Sequence, residues 1–347
     1  MPAREGPARE SPGVAARRLQ EAAVLTPLIL SPIYRTYLWG GRRFETALGR
    51  TLPGEGVYAE SWQLVDRGTD QSVVAAGPFA GATLGSLVST RGDELLGRHA
   101  PKQAFPLLFK FLDACQDLSV QVHPDDERAA RLGTPDLGKT EAWYVIDAAP
   151  GSRIYAGLKE GVTREGFAAA LRAGRCDEAI HSFPVKAGDC VFIPAGTVHA
   201  IGAGLLVAEI QQSSDVTFRL HDWNRVGPDG KPRALHVEEG LEATTRLGPV
   251  EPVTPAATAD SAVRRLVASD YFVFDEVVPE GSWVVGGDDG CHFVAVIGGA
   301  VTLEDHWGLP SLGVGDCVLL PASIGRQRLT ATARDGVAAK LLHVSLP

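Results

Sequence analysis

Short apolar runs separated by glycine and proline dominate the pattern of this 347-residue chain. In Gln121-Val122-His123 polar and apolar positions alternate, which is the period of a strand with one face buried. The run from Phe109 to Leu112 is typical of another barrel strand. The 39 glycines and 23 prolines punctuate such runs. The pattern predicts a mainly β fold of barrel type rather than a doubly wound sheet.

A few short helices are expected among the strands. The patterns predict them around Thr83 to Leu96, Asp125 to Leu132 and Thr163 to Arg172. An aspartate of the Asp125-Asp126 pair can cap the second of these helices, and Thr163 can cap the third.

One internal repeat indicates that the chain contains two barrels. The segment GDCVFIPA at Gly188–Ala195 recurs as GDCVLLPA at Gly315–Ala322. Each copy places a short apolar strand between a Gly-Asp turn and a Pro-Ala turn. We predict two jelly-roll-like barrels, over residues 25–250 and 251–347, with a Pro- and Thr-rich linker within 248–255.

The first 24 residues have a different composition. They mix Arg, Glu, Pro and Ala without the apolar core of a secretory signal. Residues 1–24 are therefore predicted to be a disordered N-terminal extension.

Four side chains in strand context carry donor atoms of the kind that bind metals. Gln121 and His123 are two residues apart and share one face of a strand. Glu141 begins the aromatic and β-branched run EAWYVI, where a buried carboxylate needs a partner. With His199, these residues offer two imidazoles, a carboxylate and an amide oxygen. This set can hold one divalent metal and leave a coordination position open.

The spacing around His199 is the sharpest of these signals. Gly188 to His199 fits G-x5-P-x-G-x2-H, the second signature of cupin barrels. Pro194 and Gly196 turn the chain before His199 enters the next strand, where its imidazole can point into the barrel. The first barrel is therefore predicted to be a metal-binding cupin barrel.

The second copy of the repeat lacks these features. Arg326 stands where the repeat would place His199, and a guanidinium cannot ligate a cation. The preceding strand, Phe293 to Gly299, carries no acid or amide pair. We predict a second cupin-like barrel without a metal, whose role is to pack on the first.

Several segments together resemble one known family, the zinc-dependent type I phosphomannose isomerases (mannose-6-phosphate isomerases). Four central segments carry the likeness: FLDACQDLSVQVHPDDERAA, GKTEAWYVI, IPAGTVHAIG and EIQQSSDVTFRLHDW. Upstream, Leu38-Trp39-Gly40-Gly41 and Glu60-Ser61-Trp62 are similar to family segments, with Ala59 in place of the usual Gly. The likeness spans roughly residues 27 to 347. The short interval between Glu141 and His199 resembles the compact bacterial form, which lacks a large helical insertion.

The resemblance implies an activity, a metal and a set of site residues. The implied reaction interconverts mannose 6-phosphate and fructose 6-phosphate, by proton transfer between C1 and C2 through an enediol(ate). The implied ligands of one Zn²⁺ per chain are Gln121, His123, Glu141 and His199. The implied active-site residues are Lys139, Glu209 and Arg219.

The residues themselves support these roles, but they do not show which residue is the base that moves the proton. Lys139 lies two residues before Glu141 and can share its face, pointing at the metal pocket. Arg219 alternates with Val, Phe and Leu, which is unusual for a solvated charge. Both Lys139 and Glu209 are candidates to move the proton.

The phosphate contacts are less defined. No P-loop or dinucleotide-binding glycine pattern occurs. Lys110, Ser119, Lys139 and Arg219 are candidate phosphate ligands, and Lys110 fits a surface residue equally well.

Composition narrows the classes of molecule that this protein can bind. A net charge of −9 argues against non-specific nucleic-acid binding and means that an anionic sugar phosphate needs a local cluster of cations. No apolar stretch is long enough to cross a membrane. Five scattered cysteines without a C-x-x-C pair predict buried, reduced thiols in a cytoplasmic protein. We expect a monomer or a weak homodimer.

Two other classes stay open. Two histidines and one carboxylate also suit Fe(II), so a metal-dependent cupin oxygenase is an alternative. The other is a sugar-binding or regulatory paralogue without turnover, against which the presence of Lys139, Glu141, Glu209 and Arg219 argues.

Overall fold

The computed structural model describes residues 23–226, 230–304 and 307–347. The predicted N-terminal extension lies outside the described residues except for Ala23 and Val24. Ala23 packs against the core, and Val24 is exposed.

The described residues of the first barrel and its flanking segments form these strands: β1 (Leu30–Ser31), β2 (Ile33–Arg35), β3 (Glu60–Leu64), β4 (Asp66–Arg67), β5 (Asp70–Gln71), β6 (Val73–Val74), β7 (Leu107–Ala114), β8 (Val120–Val122), β9 (Glu141–Ala148), β10 (Arg153–Leu158), β11 (Ile180–Pro184), β12 (Cys190–Ile193), β13 (His199–Ile201), β14 (Leu205–Gln212) and β15 (Phe218–His221). Those of the second barrel form β16 (Ala256–Ala257), β17 (Val263–Ala268), β18 (Val273–Val277), β19 (Ser282–Val285), β20 (His292–Gly298), β21 (Ala300–Leu303), β22 (Leu312–Gly313), β23 (Cys317–Leu320), β24 (Gln327–Thr332) and β25 (Lys340–Ser345).

The described helices are few and short: α1 (Arg43–Thr46), α2 (Leu84–Leu96), α3 (Asp126–Arg131), α4 (Arg164–Arg172), α5 (Cys176–Ala179) and α6 (Val237–Ala243). The three predicted helices are confirmed as α2, α3 and α4. Asp125 and Thr163 cap α3 and α4 by accepting a backbone N–H bond three residues on. None of the described helices is both long and apolar enough to span a bilayer.

Two antiparallel sheets form the first barrel. One has the order β12-β9-β14-β7-β3-β2 and the other β11-β10-β13-β8-β15. Trp143, Val207 and Ile154 belong to one cluster between the sheets, so these residues face the barrel interior. Phe218 and Phe167 belong to another, where the smaller sheet packs against α4. The mainly β, two-barrel prediction is confirmed.

The second barrel repeats this plan. Its sheets have the orders β16-β17-β18-β25-β20-β23 and β19-β24-β21-β22. Trp283 and Val294 contribute to its interior cluster.

The two barrels pack through the outer faces of their six-stranded sheets. Phe109 and Phe111 of the first barrel join Phe293 and Phe274 of the second in one buried cluster. The ring centroids of Phe109 and Phe293 are 4.8 Å apart. Alternation along β7 therefore divides its side chains between this interface and the interior of the first barrel.

The cysteines are all free. Four of them are buried as predicted, but Cys115 is exposed, so the expectation of burial is wrong there. Cys115 follows the last residue of β7, where the chain leaves the sheet.

Candidate active site

Strand pairing brings the metal-type donors together at one end of the first barrel. His199 and Gln121 are directly opposite each other on β13 and β8. Val120 and Val122 pack in the outer cluster, which leaves Gln121 on the inward face. Glu141 begins β9 in the facing sheet.

Three of the donors form a compact group. The ligand atoms of His123, Glu141 and His199 all lie within 4.8 Å of one another. Nε2 of His123 is 3.7 Å from Oε2 of Glu141, and Nε2 of His199 is 3.3 Å from Oε1. The side-chain amide of Gln121 is 3.3 Å from Nε2 of His199. A half-turn of this amide would direct its oxygen to the same point.

Backbone carbonyls select the imidazole tautomers. Nδ1 of His123 donates to the carbonyl of Val216 at 2.7 Å, and Nδ1 of His199 donates to that of Thr197 at 2.9 Å. Each Nε2 therefore presents a lone pair to the group, as metal-binding histidines do. Burial lowers the pKa of His123 well below its ordinary value and that of His199 to about 4, so both rings are neutral.

These residues fit a divalent cation. Within the described part of the chain, Nε2 of His123 and Oε1 of Glu141 are buried without a hydrogen-bond partner, while Oε2 of Glu141 is met by the Lys139 ammonium at 2.8 Å. Orphaned buried acceptors are costly, and a cation placed between His123 and Glu141 would satisfy both. Burial raises the pKa of Glu141 to about 7, while Lys139 opposes the rise and Glu209 adds to it. Two nitrogen donors and a carboxylate oxygen suit Zn²⁺.

A row of alternating charges leads from the donors across the barrel. Lys139 Nζ lies 2.8 Å from Oε2 of Glu141 and 3.8 Å from Oε1 of Glu209. Lys110 Nζ lies 2.9 Å from that same Glu209 oxygen and 3.6 Å from Oε2 of Glu60. Four of the five residues are buried and Glu60 is half-buried, so the charges compensate one another in a low-dielectric interior.

Strand register explains this row. Lys110 on β7 is opposite Glu209 on β14 and Trp62 on β3. Indole N–H groups hold two of the three carboxylates: Trp143 donates to Glu209 at 2.9 Å, and Trp62 donates to Glu60 at 2.6 Å. Although burial opposes ionisation, Lys110 and Lys139 lower the pKa of Glu209. Glu209 is thus a fixed anion.

Arg219 lies at the edge of this group. It is opposite Gln121 in the pairing of β15 with β8, so it faces inward. Its guanidinium donates to Oγ of Ser119 at 3.4 Å and to the carbonyl of Ala234 at 3.1 Å. The structure therefore places Arg219 at the rim, beside the donors rather than within the row of charges.

The sequence leaves two interpretations of Lys110, a phosphate ligand or a surface residue. It is buried, so the interpretation as a surface residue is wrong. Although burial opposes its charge, Glu209 and Glu60 raise the pKa of Lys110 above its ordinary value. Glu60 itself was not among the predicted site residues. The only signal for it was its place in the Glu60-Ser61-Trp62 segment.

The second barrel contains a polar cluster that the sequence pattern did not reveal. Ile193 and Leu320 occupy matching positions of the repeat. Ile193 pairs with Glu141, and Leu320 pairs with His292, so His292 takes the place of Glu141 in the second barrel. The sequence pattern predicts this strand only from Phe293 onward, so His292, one residue earlier, was missed.

His292 belongs to a chain of four ionisable side chains. Its Nε2 lies 2.8 Å from Oδ1 of Asp288, and its Nδ1 lies 2.9 Å from Nε2 of His343. Nδ1 of His343 lies 3.1 Å from Oδ2 of Asp275. Burial lowers the pKa of His292 to about 4. The second barrel thus buries polar groups at the level where the first barrel has its site.

Comparison with known proteins agrees with this geometry. The catalytic-domain model of type I phosphomannose isomerases matches residues 28–143. A mannose-6-phosphate isomerase of Streptococcus mutans is 36% identical over 304 residues, which cover 86% of this chain and 93% of that one. The mannose-6-phosphate isomerase ManA of Bacillus subtilis is 35% identical over 312 residues, covering 88% and 96%.

A solved structure extends the likeness to the fold. The crystal structure of a mannose 6-phosphate isomerase from Bacillus subtilis superposes with a TM-score of 0.83 at 28% identity. It covers 92% of this chain and 99% of the other. Two relatives are aligned with this chain over nearly their full length, at 36% and 35% identity. This chain therefore belongs to the type I phosphomannose isomerase family.

Proposed function

We propose that this protein is a mannose-6-phosphate isomerase that interconverts mannose 6-phosphate and fructose 6-phosphate. The observation that carries the proposal is the buried donor group of His123, Glu141 and His199 beside the Lys139–Glu209 pair. Family membership and the names of the relatives support the same reaction.

The proposed metal is one Zn²⁺ per chain, held by Gln121, His123, Glu141 and His199. When bound, it supplies Lewis-acid polarisation of the carbonyl and hydroxyl oxygens at C1 and C2. The protein holds this place ready through the fixed tautomers of His123 and His199.

Lys139 is the proposed carrier of the proton between C1 and C2. Glu209 is a poor base because its pKa is lowered and its carboxylate is held by Trp143 and Lys110. Lys139 has a flexible stem and touches both Glu141 and Glu209, so it can approach either carbon of a substrate at the donor group. The neutral amine of Lys139 takes the proton from one carbon, and the resulting ammonium returns it to the other carbon. Glu209 stabilises that ammonium form, and Arg219 stabilises negative charge on the enediolate from the rim.

The test is a coupled assay of mannose 6-phosphate and fructose 6-phosphate interconversion before and after prolonged chelation. We expect chelation to abolish turnover and Zn²⁺ to restore it. Activity that survives with less than about 0.1 metal per chain would refute the metal assignment. Oxygen consumption is the control for the oxygenase alternative, because an isomerase consumes none.

We also propose a cellular location and an oligomeric state for this protein. A cytoplasmic location is supported by five free cysteines, four of them buried. A monomer or weak homodimer stays a prediction that size-exclusion chromatography with light scattering tests directly.

A further inference from the structure

The proposed proton carrier lies outside the regular structure of the first barrel. Lys139 and Thr140 are in the connection between α3 and β9 and belong to no helix or strand. Lys139 is nevertheless buried, and its Nζ lies 2.8 Å from Oε2 of Glu141. Because this segment is not part of a strand ladder, other groups must bond its N–H groups and fix the position of Lys139.

Two side chains hold the backbone on both sides of Lys139. The N–H of Gly138 donates to Oδ1 of Asp126 at 2.8 Å, and the N–H of Thr140 donates to Oε1 of Gln212 at 2.8 Å. The amide of Gln212 also donates to Oδ1 of Asp126 at 3.1 Å, which joins the two supports. We refer to this pair of residues as the Asp126–Gln212 clamp.

The same segment rests directly against the start of α3. The N–H of Lys139 donates to the carbonyl of Pro124 at 3.0 Å. A Cβ on Gly138 would lie 2.4 Å from backbone atoms of Asp125 and Asp126, so only glycine fits at this point. Three successive backbone N–H groups, those of residues 138–140, are therefore bonded to fixed acceptors.

The clamp also connects Lys139 with other residues of the candidate active site. Gln212 is the last residue of β14, three residues after Glu209. Asp126 begins α3, three residues after His123. The clamp therefore sets where Lys139 lies relative to both the charge partner and the metal donors.

The clamp lies behind the active site rather than within it. Ile210 packs in the cluster between the barrels, and Gln212, two residues on, shares that face of β14. Asp126 and Gln212 both line a cavity of about 960 Å³ between the barrels. Tyr271 of the second barrel lines the same cavity, and its hydroxyl donates to Oδ2 of Asp126 at 3.5 Å. With open space on this side, the hydrogen bonds of the clamp rather than close packing hold the segment.

We propose that Asp126 and Gln212 are positioning residues for the isomerisation, which act by holding Lys139 where it can move the proton. This proposal rests on the proposed function, because it takes Lys139 as the proton carrier. A displacement of about 1 Å at a reacting group can lower a rate by about a hundredfold. Loss of the clamp should therefore lower kcat and leave substrate binding by the other groups intact.

The main test replaces Gln212 by leucine in the full-length holoenzyme. Leucine has a similar volume and cannot bond to Thr140 or Asp126. We expect kcat for mannose 6-phosphate to fall roughly ten- to a hundredfold, while KM changes little and zinc stays near one per chain.

Gln327→Leu is the matched control. Gln327 is also buried, and its amide donates to the carbonyls of Ile324 and Arg326, but it belongs to the second barrel. This variant loses comparable hydrogen bonds and should leave kcat unchanged. An equal fall of kcat in both variants would show a general loss of stability and overturn the positioning role.

A double-mutant cycle with Lys139→Met distinguishes positioning from a separate contribution. If Gln212 acts through Lys139, adding Gln212→Leu to Lys139→Met should lower the residual kcat little further. A second loss as large as that of Gln212→Leu alone would show that Gln212 acts independently and would refute the proposal.

Two substitutions of Asp126 test the other half of the clamp. Asparagine keeps an acceptor oxygen for Gly138 and Gln212, so Asp126→Asn should retain most of kcat. Alanine removes the acceptor, so Asp126→Ala should lower kcat as Gln212→Leu does. Equal losses in the two Asp126 variants would show that the charge matters rather than the accepted hydrogen bonds, and would contradict the clamp.

Amide hydrogen exchange tests the clamp without turnover. In Gln212→Leu and Asp126→Ala the amides of residues 138–140 should exchange roughly tenfold faster than in wild type, because their acceptors are lost. Unchanged exchange would overturn the clamp, and faster exchange with unchanged kcat would overturn its positioning role. If the wild-type protein does not isomerise mannose 6-phosphate, the proposed function fails instead, and exchange still decides whether the clamp holds this segment.

Discussion

Binding of Zn²⁺ to the metal-free protein should release one proton near pH 5, and that proton should come from Glu141. Burial raises the pKa of this carboxyl to about 7, so it is protonated at pH 5 without metal and must ionise to become a ligand. Burial lowers the pKa of His199 to about 4 and that of His123 well below its ordinary value, so the imidazoles have almost no proton to lose.

The magnitude follows from these values. At pH 5 a carboxyl of pKa about 7 contributes about 1.0 proton, and an imidazole of pKa about 4 contributes about 0.1. With the ordinary values of 4.5 and 6.5, the carboxyl would release about 0.2 proton and the two imidazoles together about 1.9. The total number of protons released at pH 5 therefore differs between the two cases by a factor of about two.

Isothermal titration calorimetry in several buffers measures the number of protons released on Zn²⁺ binding. This number is the slope of the observed binding enthalpy plotted against the ionisation enthalpy of the buffer. Work near pH 5 keeps the result free of protons lost by metal-bound water, which ionises near pH 7. Arg172→Gln provides a control, since this exposed arginine pairs with the exposed Glu238 and is not one of the donors or their charged neighbours. A slope near two protons would show that the histidines are protonated in the metal-free protein and would refute the buried, preset site.

Further expectations concern the rim, the proton carrier and the second barrel. Arg219→Ala should leave zinc near one per chain and lower kcat by about a hundredfold, because a charged contact to the transition state is lost; unchanged kcat would remove Arg219 from the site. Lys139→Met should also keep the metal and lower kcat, whereas a rise confined to KM would reassign Lys139 to substrate binding. Phe293→Ala opens a cavity at the barrel interface and should reduce the free energy of unfolding by about 3–5 kcal/mol in chemical denaturation, with a loss under about 1 kcal/mol contradicting that packing. A fragment of residues 25–255 should be insoluble because it exposes the same interface, and a soluble, fully active fragment would show the second barrel to be dispensable.

Much of this protein is determined by local sequence. Alternation along the strands predicts the inward side chains, and the Gly188–Ala195 repeat predicts two barrels. Spacing alone singles out His199, and the run after Glu141 marks it as a buried carboxylate. These signals are short-range because a strand's period and a turn's residue types depend on a few neighbouring positions.

The arrangement of charges was decided by tertiary structure. Glu60, Lys110 and Glu209 come from three separate strands, and only the antiparallel register brings them into one row. Periodicity shows which side chains share a face, but it does not show which strand lies beside which.

The same limit applies to the rim and to the second barrel. Arg233 looks like any surface arginine in the sequence, and only the fold joins it and Arg225 to the buried carboxylate of Asp222. His292 takes the position of Glu141 only through the pairing of β20 with β23. Sequence determined the donors because ligand chemistry belongs to single residues. Structure decided the electrostatics, because the energy of a charge depends on what the folded chain places around it.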